Sequence, residues 1–147
     1  MLDRGCGLIV GTCSPDGEPQ AERAWGARVV DESARRLRVT MSADDERVVG
    51  DLVVGRWISV TGADVYTLAA VQMKGPITWC GSADDNDLAL MAQQSDLFIE
   101  AIHAVDRNPV EHLRRMLPLE VITIEFEVVE VFDQSAGPDA GAPVRSA

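Results

Sequence analysis

The chain has 147 residues, of which 46% are hydrophobic and 25% charged, and its formal net charge is −11 at pH 7. This length and composition are typical of one globular domain rather than a disordered segment. The negative charge argues against nucleic-acid binding, which needs clustered Lys and Arg, and no apolar run approaches the roughly 20 residues of a membrane span. Three cysteines without a C-x-x-C spacing, Cys6, Cys13 and Cys80, favour buried thiols in a reducing cytoplasm.

The pattern along the chain predicts short strands joined by tight turns, with helices inserted between some of them. The first strand is followed by a Ser-Pro-Asp-Gly tetrapeptide, whose residues favour a β-turn. Apolar and polar side chains alternate over residues 35–41, as they do in a half-buried strand. Strands are predicted at residues 7–13, 19–30, 35–41, 57–62, 65–80 and 119–132.

Capping residues predict three helices between these strands. Ser42 with Asp45 marks the start of a short helix, Ser82 the start of a longer one, and Asn108-Pro109 the start of a third. Gly75-Pro76 should bend or bulge the long fifth strand, because Pro cannot donate to a ladder.

The element order is therefore β-β-β-α-β-β-α-α-β, which predicts a mainly β protein with added helices (α+β). Six short strands suffice to close an antiparallel barrel flanked by the helices. We predict one domain over residues 1–133. Residues 134–147 are rich in Ser, Gly, Pro and Ala and are predicted to form a loose tail.

This order of motifs resembles the FMN-binding split barrel of the pyridoxamine 5'-phosphate oxidase-like and flavin-reductase-like superfamily. The resemblance is carried by residues 8–19 with their Asp-Gly-Glu-Pro turn, by the strand containing Trp25, by residues 37–42 leading into a helix, and by Lys74-Gly75 on a later strand. It spans residues 6–133 and implies a split β-barrel. It also implies a homodimer with a flavin at each end of the subunit interface.

The resemblance further implies where a flavin phosphate would bind, namely at the end of the third strand and the first turn of the next helix. Hydroxyl groups and guanidinium forks suit phosphate because they offer several donors. Trp25 or its strand could flank the isoalloxazine ring. The candidate cofactor-binding residues are Arg23, Trp25, Arg28, Thr40, Ser42, Arg47 and Lys74.

One segment departs from the family pattern, since Ala43-Asp44-Asp45-Glu46 stands where family members place basic residues before the chain reaches Arg47. Carboxylates beside a phosphate repel it unless other groups compensate. The leading hypothesis is an FMN-dependent oxidoreductase acting on an unidentified small molecule, and the deazaflavin F420 is the alternative cofactor. A second hypothesis is a split-barrel dimer that has lost its flavin and serves as a binding or structural protein.

No other motif indicates a chemistry. His103 and His112 are nine residues apart with Pro109 between them, which favours surface histidines over a metal site. The sequence contains no nucleophile elbow, P-loop or dinucleotide-binding glycine pattern. We name no catalytic residue, because a flavin would carry the redox chemistry itself.

Overall fold

A computed structural model describes residues 4–144, which form seven strands and three helices. In chain order these are β1 (Cys6–Cys13), β2 (Pro19–Asp31), β3 (Arg36–Ser42), α1 (Glu46–Asp51), β4 (Trp57–Asp64), β5 (Ala70–Gly81), α2 (Asp85–Asp106), α3 (Val110–Arg114), β6 (Val121–Glu127) and β7 (Glu130–Asp133).

Six of the strands close into an antiparallel barrel. The order around the ring is β1-β2-β3-β6-β5-β4, and the pairing of β4 with β1 closes it. Alternate residues face inward, as Leu37, Val39 and Met41 do on β3. The predicted α+β split barrel of six antiparallel strands is confirmed.

The predicted strand over residues 119–132 is in fact two strands, β6 and β7, and both pair with β5. Residues 77–81 of β5 pair with β6 and residues 71–74 pair with β7, so β5 changes partner at the predicted irregularity, Gly75-Pro76. A Cβ atom on Gly75 would overlap the carbonyl oxygen of Glu127, the last residue of β6. The close approach of these two backbones explains why the ladder breaks there.

Helix α1 closes one end of the barrel, where its Val48 and the following Leu52 belong to the hydrophobic core. The helix begins later than the sequence suggested, because the side chain of Asp45 rather than Ser42 caps it, accepting a hydrogen bond from the Arg47 amide. Ser42 is instead the last residue of β3 and pairs with Val121.

Helix α2 packs against the outer face of β2. Gly26 leaves room for this contact, since a Cβ there would lie 3.1 Å from the Met91 Cα. Beyond Ala24 the edge of β2 has lost its β1 partner, and the buried Gln94 amide takes over that role. It accepts from the Ala27 N–H at 2.8 Å and donates to the Ala27 carbonyl at 3.0 Å. The helix begins at a capping box formed by Asp84 and Asp87, not at the predicted Ser82.

Replacing Gln94 by Ala should therefore lower the free energy of unfolding by about 2 kcal/mol, because it leaves two buried backbone groups of Ala27 without partners. Urea denaturation followed by circular dichroism measures this. Gln93→Ala, at the exposed neighbouring position, is the matched control and should change stability by less than about 0.5 kcal/mol. Equal effects of the two variants would contradict the role given to Gln94.

The described part of the predicted tail folds back on β7 through hydrogen bonds. The Asp133 N–H donates to the Ala142 carbonyl at 2.9 Å, and the Val144 N–H donates to the Val131 carbonyl at 2.8 Å. Residues 134–144 thus form a turn that returns along β7. The last three residues of the chain lie outside the described part.

Candidate functional site

The two predicted hydroxyl groups lie on the outer face of β3, and both are buried and already hydrogen-bonded. Thr40 Oγ1 is 3.1 Å from Thr123 Oγ1 of β6, and Ser42 Oγ accepts from the Asp44 amide at 3.2 Å. Their hydrogen bonds therefore hold β3 to β6 and shape the turn into α1.

Arg28 lies on the same outer face, directly opposite Arg38 of β3. Between the two guanidinium groups is Asp87 of α2, whose side chain is only 2% exposed. Asp87 accepts two short hydrogen bonds from Arg38, at 2.6 and 2.8 Å, whereas Arg28 approaches it only to 3.8 Å. The bonds from Arg38 hold the pKa of Asp87 below its usual range. Arg28 keeps most of its donors unused, and its side chain is 38% exposed.

Arg38 is a residue that the sequence did not single out, yet it is the centre of this face. Its Nη1 donates to Glu125 at 2.8 Å, and its guanidinium carbon lies 4.5 Å from the ring centroid of Trp79. A third carboxylate, of Asp84, lies 3.5 Å away. Ionised partners raise the pKa of Arg38 above its usual value, chiefly through the hydrogen bonds that Arg38 donates to Asp87. The sequence did not indicate this role, because Arg38 is one of several polar residues on an alternating strand and its partners are far away in the sequence.

Arg47 lies apart from Arg28, in the first turn of α1 at the closed end of the barrel. Its side chain is 78% exposed and donates to the Asp45 carboxylate at 2.8 and 3.2 Å. These bonds lower the pKa of Asp45 and raise that of Arg47. With Asp44 and Glu46 beside them, residues 44–47 carry three carboxylates and one guanidinium. This segment does not fit a phosphate dianion by itself.

Trp25 and Arg23 lie beside α2, in the other half of β2. The Trp25 indole is buried and packs edge-to-face against Phe98, with ring centroids 6.2 Å apart. Its Nε1 and the buried Ser95 Oγ have no hydrogen-bond partner among the described residues. They border a space of about 10 Å³ that Arg23 also lines, which is the size of one water molecule rather than a ring system. The indole therefore presents no open face to a flavin.

Lys74 is on the outer face of β5, which is the strand opposite β2 in the ring. Its ammonium group lies 4.7 Å from the ring centroid of Phe132 on β7. Within one protomer, Lys74 cannot reach a group bound at Arg28.

The seven predicted residues thus fall into four places: Arg28 with Thr40, Ser42 with Arg47, Arg23 with Trp25, and Lys74 alone. The structure brings Arg28 and Thr40 onto one face but gives Arg23, Arg28 and Arg47 no shared partner. Arg23 lies beside Ser95, eight residues from Asp87 along α2, a separation of about 12 Å. Arg28 is the member of the set that best fits an anion, because it is cationic, half-exposed and only weakly engaged.

The remaining reactive side chains form no second site in the described part of the chain. No group of three His, Cys, Asp or Glu residues could hold a metal within residues 4–144. Burial raises the pKa of the Cys6 and Cys80 thiols, but Cys13 is exposed, so the prediction that all three thiols are buried is wrong for Cys13. No helix formed by these residues is both long and apolar enough for a membrane span.

Neither a protein-family model nor a curated protein sequence matches this chain. Among solved structures, an F420 reductase is 16% identical with a TM-score of 0.55, covering 88% of this chain and 91% of that one. HupZ from Group A Streptococcus is 15% identical with a TM-score of 0.53, covering 95% and 94%. A candidate pyridoxamine 5'-phosphate oxidase from Lactobacillus delbrueckii is 17% identical with a TM-score of 0.50, covering 86% and 83%.

At these identities the likeness concerns the course of the backbone and not the chemistry of the site. The structural likeness extends over most of this chain and most of the other chain in each comparison. The closed ring of six strands in this chain is the feature that the order of sequence motifs predicted. The chain therefore has a split-barrel fold similar to that of these three proteins.

Proposed function

We propose that the chain is a homodimeric oxidoreductase that binds a flavin-type cofactor, FMN in the first place and F420 as the alternative. The observation that carries the proposal is the fold, which extends over 88% of this chain and 91% of a protein named for its action as an F420 reductase. A fold alone is compatible with many functions, so the cofactor must be tested at named residues.

Among those residues we assign the phosphate contact to Arg28 rather than to Arg47. Arg28 makes a single long contact, at 3.8 Å to Asp87, and has donors left for an anion. Arg47 already donates twice to Asp45 and stands among three carboxylates. Thr40 adds a polar group near Arg28, because Gly26 of β2 pairs with it and Arg28 is two residues further along the same strand.

When bound, the cofactor would supply the transfer of a hydride or of electrons. The chain would contribute binding and orientation: the Arg28 guanidinium would hold the phosphate, and the Arg38–Asp87 pair would fix Arg28 in place. Trp79, half-exposed beside Arg38, forms the apolar border of this face.

Arg28→Gln is expected to weaken FMN binding by at least tenfold, because a charge-assisted hydrogen bond contributes about 1.5–3 kcal/mol. Arg47→Gln should weaken it by less than threefold. Titration of the purified protein with FMN and with F420, followed by absorbance and flavin fluorescence, measures both constants. The preferred cofactor is the one with the lower dissociation constant.

Arg115→Gln is the matched control, since Arg115 is exposed and makes no ion pair within residues 4–144. A protein that binds neither cofactor at millimolar concentration would contradict the proposal. Binding that depends on Arg47 but not on Arg28 would retain the cofactor and overturn the assignment of the phosphate contact. Light scattering on the same samples tests the homodimer.

The second candidate function is a split-barrel dimer without a flavin, and the charge of the predicted phosphate site favours it. Asp44, Asp45 and Glu46 surround Arg47, and the face at Arg28 carries Asp84, Asp87 and Glu125 against two arginines. Both places are net negative, which opposes a phosphate. This candidate predicts a colourless protein whose titration with either cofactor gives no saturation.

A further inference from the structure

The barrel is open at the end opposite α1, and a cavity of about 570 Å³ lies there. Its walls are inward-facing side chains of several strands, among them Leu8, Leu37, Val71, Met73 and Val131. The other end is filled by core residues and covered by α1. The volume lies within the range of about 300–1,000 Å³ typical of small-molecule sites, which are mostly apolar with a few placed polar groups.

The polar groups of this cavity are all at its mouth, in and beside the turn between β2 and β3. The charged residues that line it are Glu32 and Arg35 of the turn and Arg36, the first residue of β3. The turn is held in place, because the Arg35 carbonyl accepts from the Val128 amide at 2.8 Å and Asp31 accepts from the Ala34 amide at 3.0 Å. The mouth is therefore a fixed element of the fold.

Arg35 and Arg36 have no ion pair among the described residues, as is also true of Arg23, Arg107 and Arg115. Arg4, Arg28, Arg38, Arg47, Arg56 and Arg114 each form an ion pair. Arg35 and Arg36 form none within residues 4–144, although the chain carries 24 acidic residues. Two consecutive arginines without an ion pair, at the rim of an apolar cavity, have donors that suit an anionic end group.

Nearby acids limit the charge that this end group can carry. Glu32 borders the cavity, and Asp31 is close enough for Arg36 to contribute to the lowering of its pKa, which is due mainly to the Ser33 hydroxyl. Glu127 is the cross-strand partner of Arg36. These three carboxylates repel a dianion about twice as strongly as a monoanion, so an end group with one negative charge suits the two arginines better.

We propose that this end of the barrel binds a small amphipathic monoanion, specifically a medium-chain carboxylate. Its alkyl chain lies between Leu8, Leu37 and Met73, and its carboxylate contacts Arg35 and Arg36. The site is separate from the face of Arg28 and from α1, so it stands whether or not a flavin binds.

Titration calorimetry of the whole chain with decanoate tests the proposal, with decanol as the uncharged probe. Decanoate should bind saturably with one molecule per protomer and more tightly than decanol. The double variant Arg35→Gln/Arg36→Gln should weaken decanoate at least tenfold and leave decanol unchanged. Arg115→Gln, at an exposed arginine outside the cavity lining, should leave both unchanged.

Val71→Trp places a large side chain in the cavity and should abolish binding of both probes. Circular dichroism and thermal unfolding verify that this variant folds; if it does not fold, the double arginine variant decides alone. Absence of saturable binding, or decanoate binding that the arginine replacements leave unchanged, would overturn the proposal. A further contradicting result is a wild type that is a dimer and binds no decanoate, together with a folded Val71→Trp variant that is a monomer. The opening of the cavity would then be covered by a second copy of the chain.

Discussion

Gly75→Ala is expected to be among the most destabilising single substitutions in this chain, lowering the free energy of unfolding by at least about 3 kcal/mol. The added methyl group would overlap the carbonyl oxygen of Glu127, and Gly75 and Glu127 are each paired to a further strand of the barrel. A flexible side chain could turn aside, but here β6 and β5 must separate. That movement would break the ladder where the Val129 amide donates to the Lys74 carbonyl at 2.9 Å.

Gly50→Ala is the control for this substitution. Gly50 is inside α1, where an added Cβ meets no atom within 4 Å. Alanine is preferred over glycine in helices, so this variant should be neutral or more stable by up to about 1 kcal/mol. Thermal and urea unfolding of the two variants compare the same chemical change in two environments. A Gly75→Ala protein as stable as the wild type would show that the β5–β6 contact is not tight.

The barrel could be predicted from sequence because its determinants are local. The Ser-Pro-Asp-Gly turn and the alternation over residues 35–41 fix strand ends and faces within a few residues. The break between β6 and β7 could not be predicted in this way. Val128 and Val129 are good strand formers, and the pairing is interrupted by Gly75, more than 50 residues earlier in the chain.

The first residues of α1 and α2 could not be predicted either. Ser42 and Asp45 are both favourable N-cap residues, and local chemistry does not choose between them. The choice is made by β6, because the pairing of Ser42 with Val121 extends β3 to that residue. Ser82 and Asp84 are a similar pair, and the reciprocal bonds of Asp84 and Asp87 decide for Asp84.

The candidate site was predicted less well than the fold, since its geometry depends on where α2 docks. The sequence indicated Arg28 and Thr40, which share one face, but not Arg38 and Asp87, which organise that face. Arg38 and Asp87 are 49 residues apart, and their contact requires the capping box that begins α2 to lie over β3. Trp25 was expected beside a cofactor, but α2 covers its strand and buries the indole.

Arg38→Met should lower the free energy of unfolding at pH 7 by about 3–5 kcal/mol, the cost of leaving a buried charge without its partner. Arg38 is 11% exposed and Asp87 is 2% exposed, so solvent screens this pair weakly. Met retains the apolar length of the side chain, which leaves the charge as the main change. Arg115→Met, at an exposed arginine, should cost less than about 0.5 kcal/mol.

The same variant has a pH dependence that distinguishes lost charge pairing from lost packing. In the wild type the pKa of Asp87 is lowered, first by its hydrogen bonds from Arg38, so the stabilisation is present above the unfolded pKa of about 3.9 and is lost as pH falls through the lower folded value. Without Arg38, burial of Asp87 favours the protonated acid. The stability difference between wild type and variant should therefore shrink from pH 7 to pH 4 in urea titrations.

The double variant Arg38→Met/Asp87→Asn should recover part of the lost stability at pH 7, because a neutral amide needs no cation. A difference that is constant with pH, with no recovery in the double variant, would mean that Arg38 acts through packing against Trp79 and not through its charge.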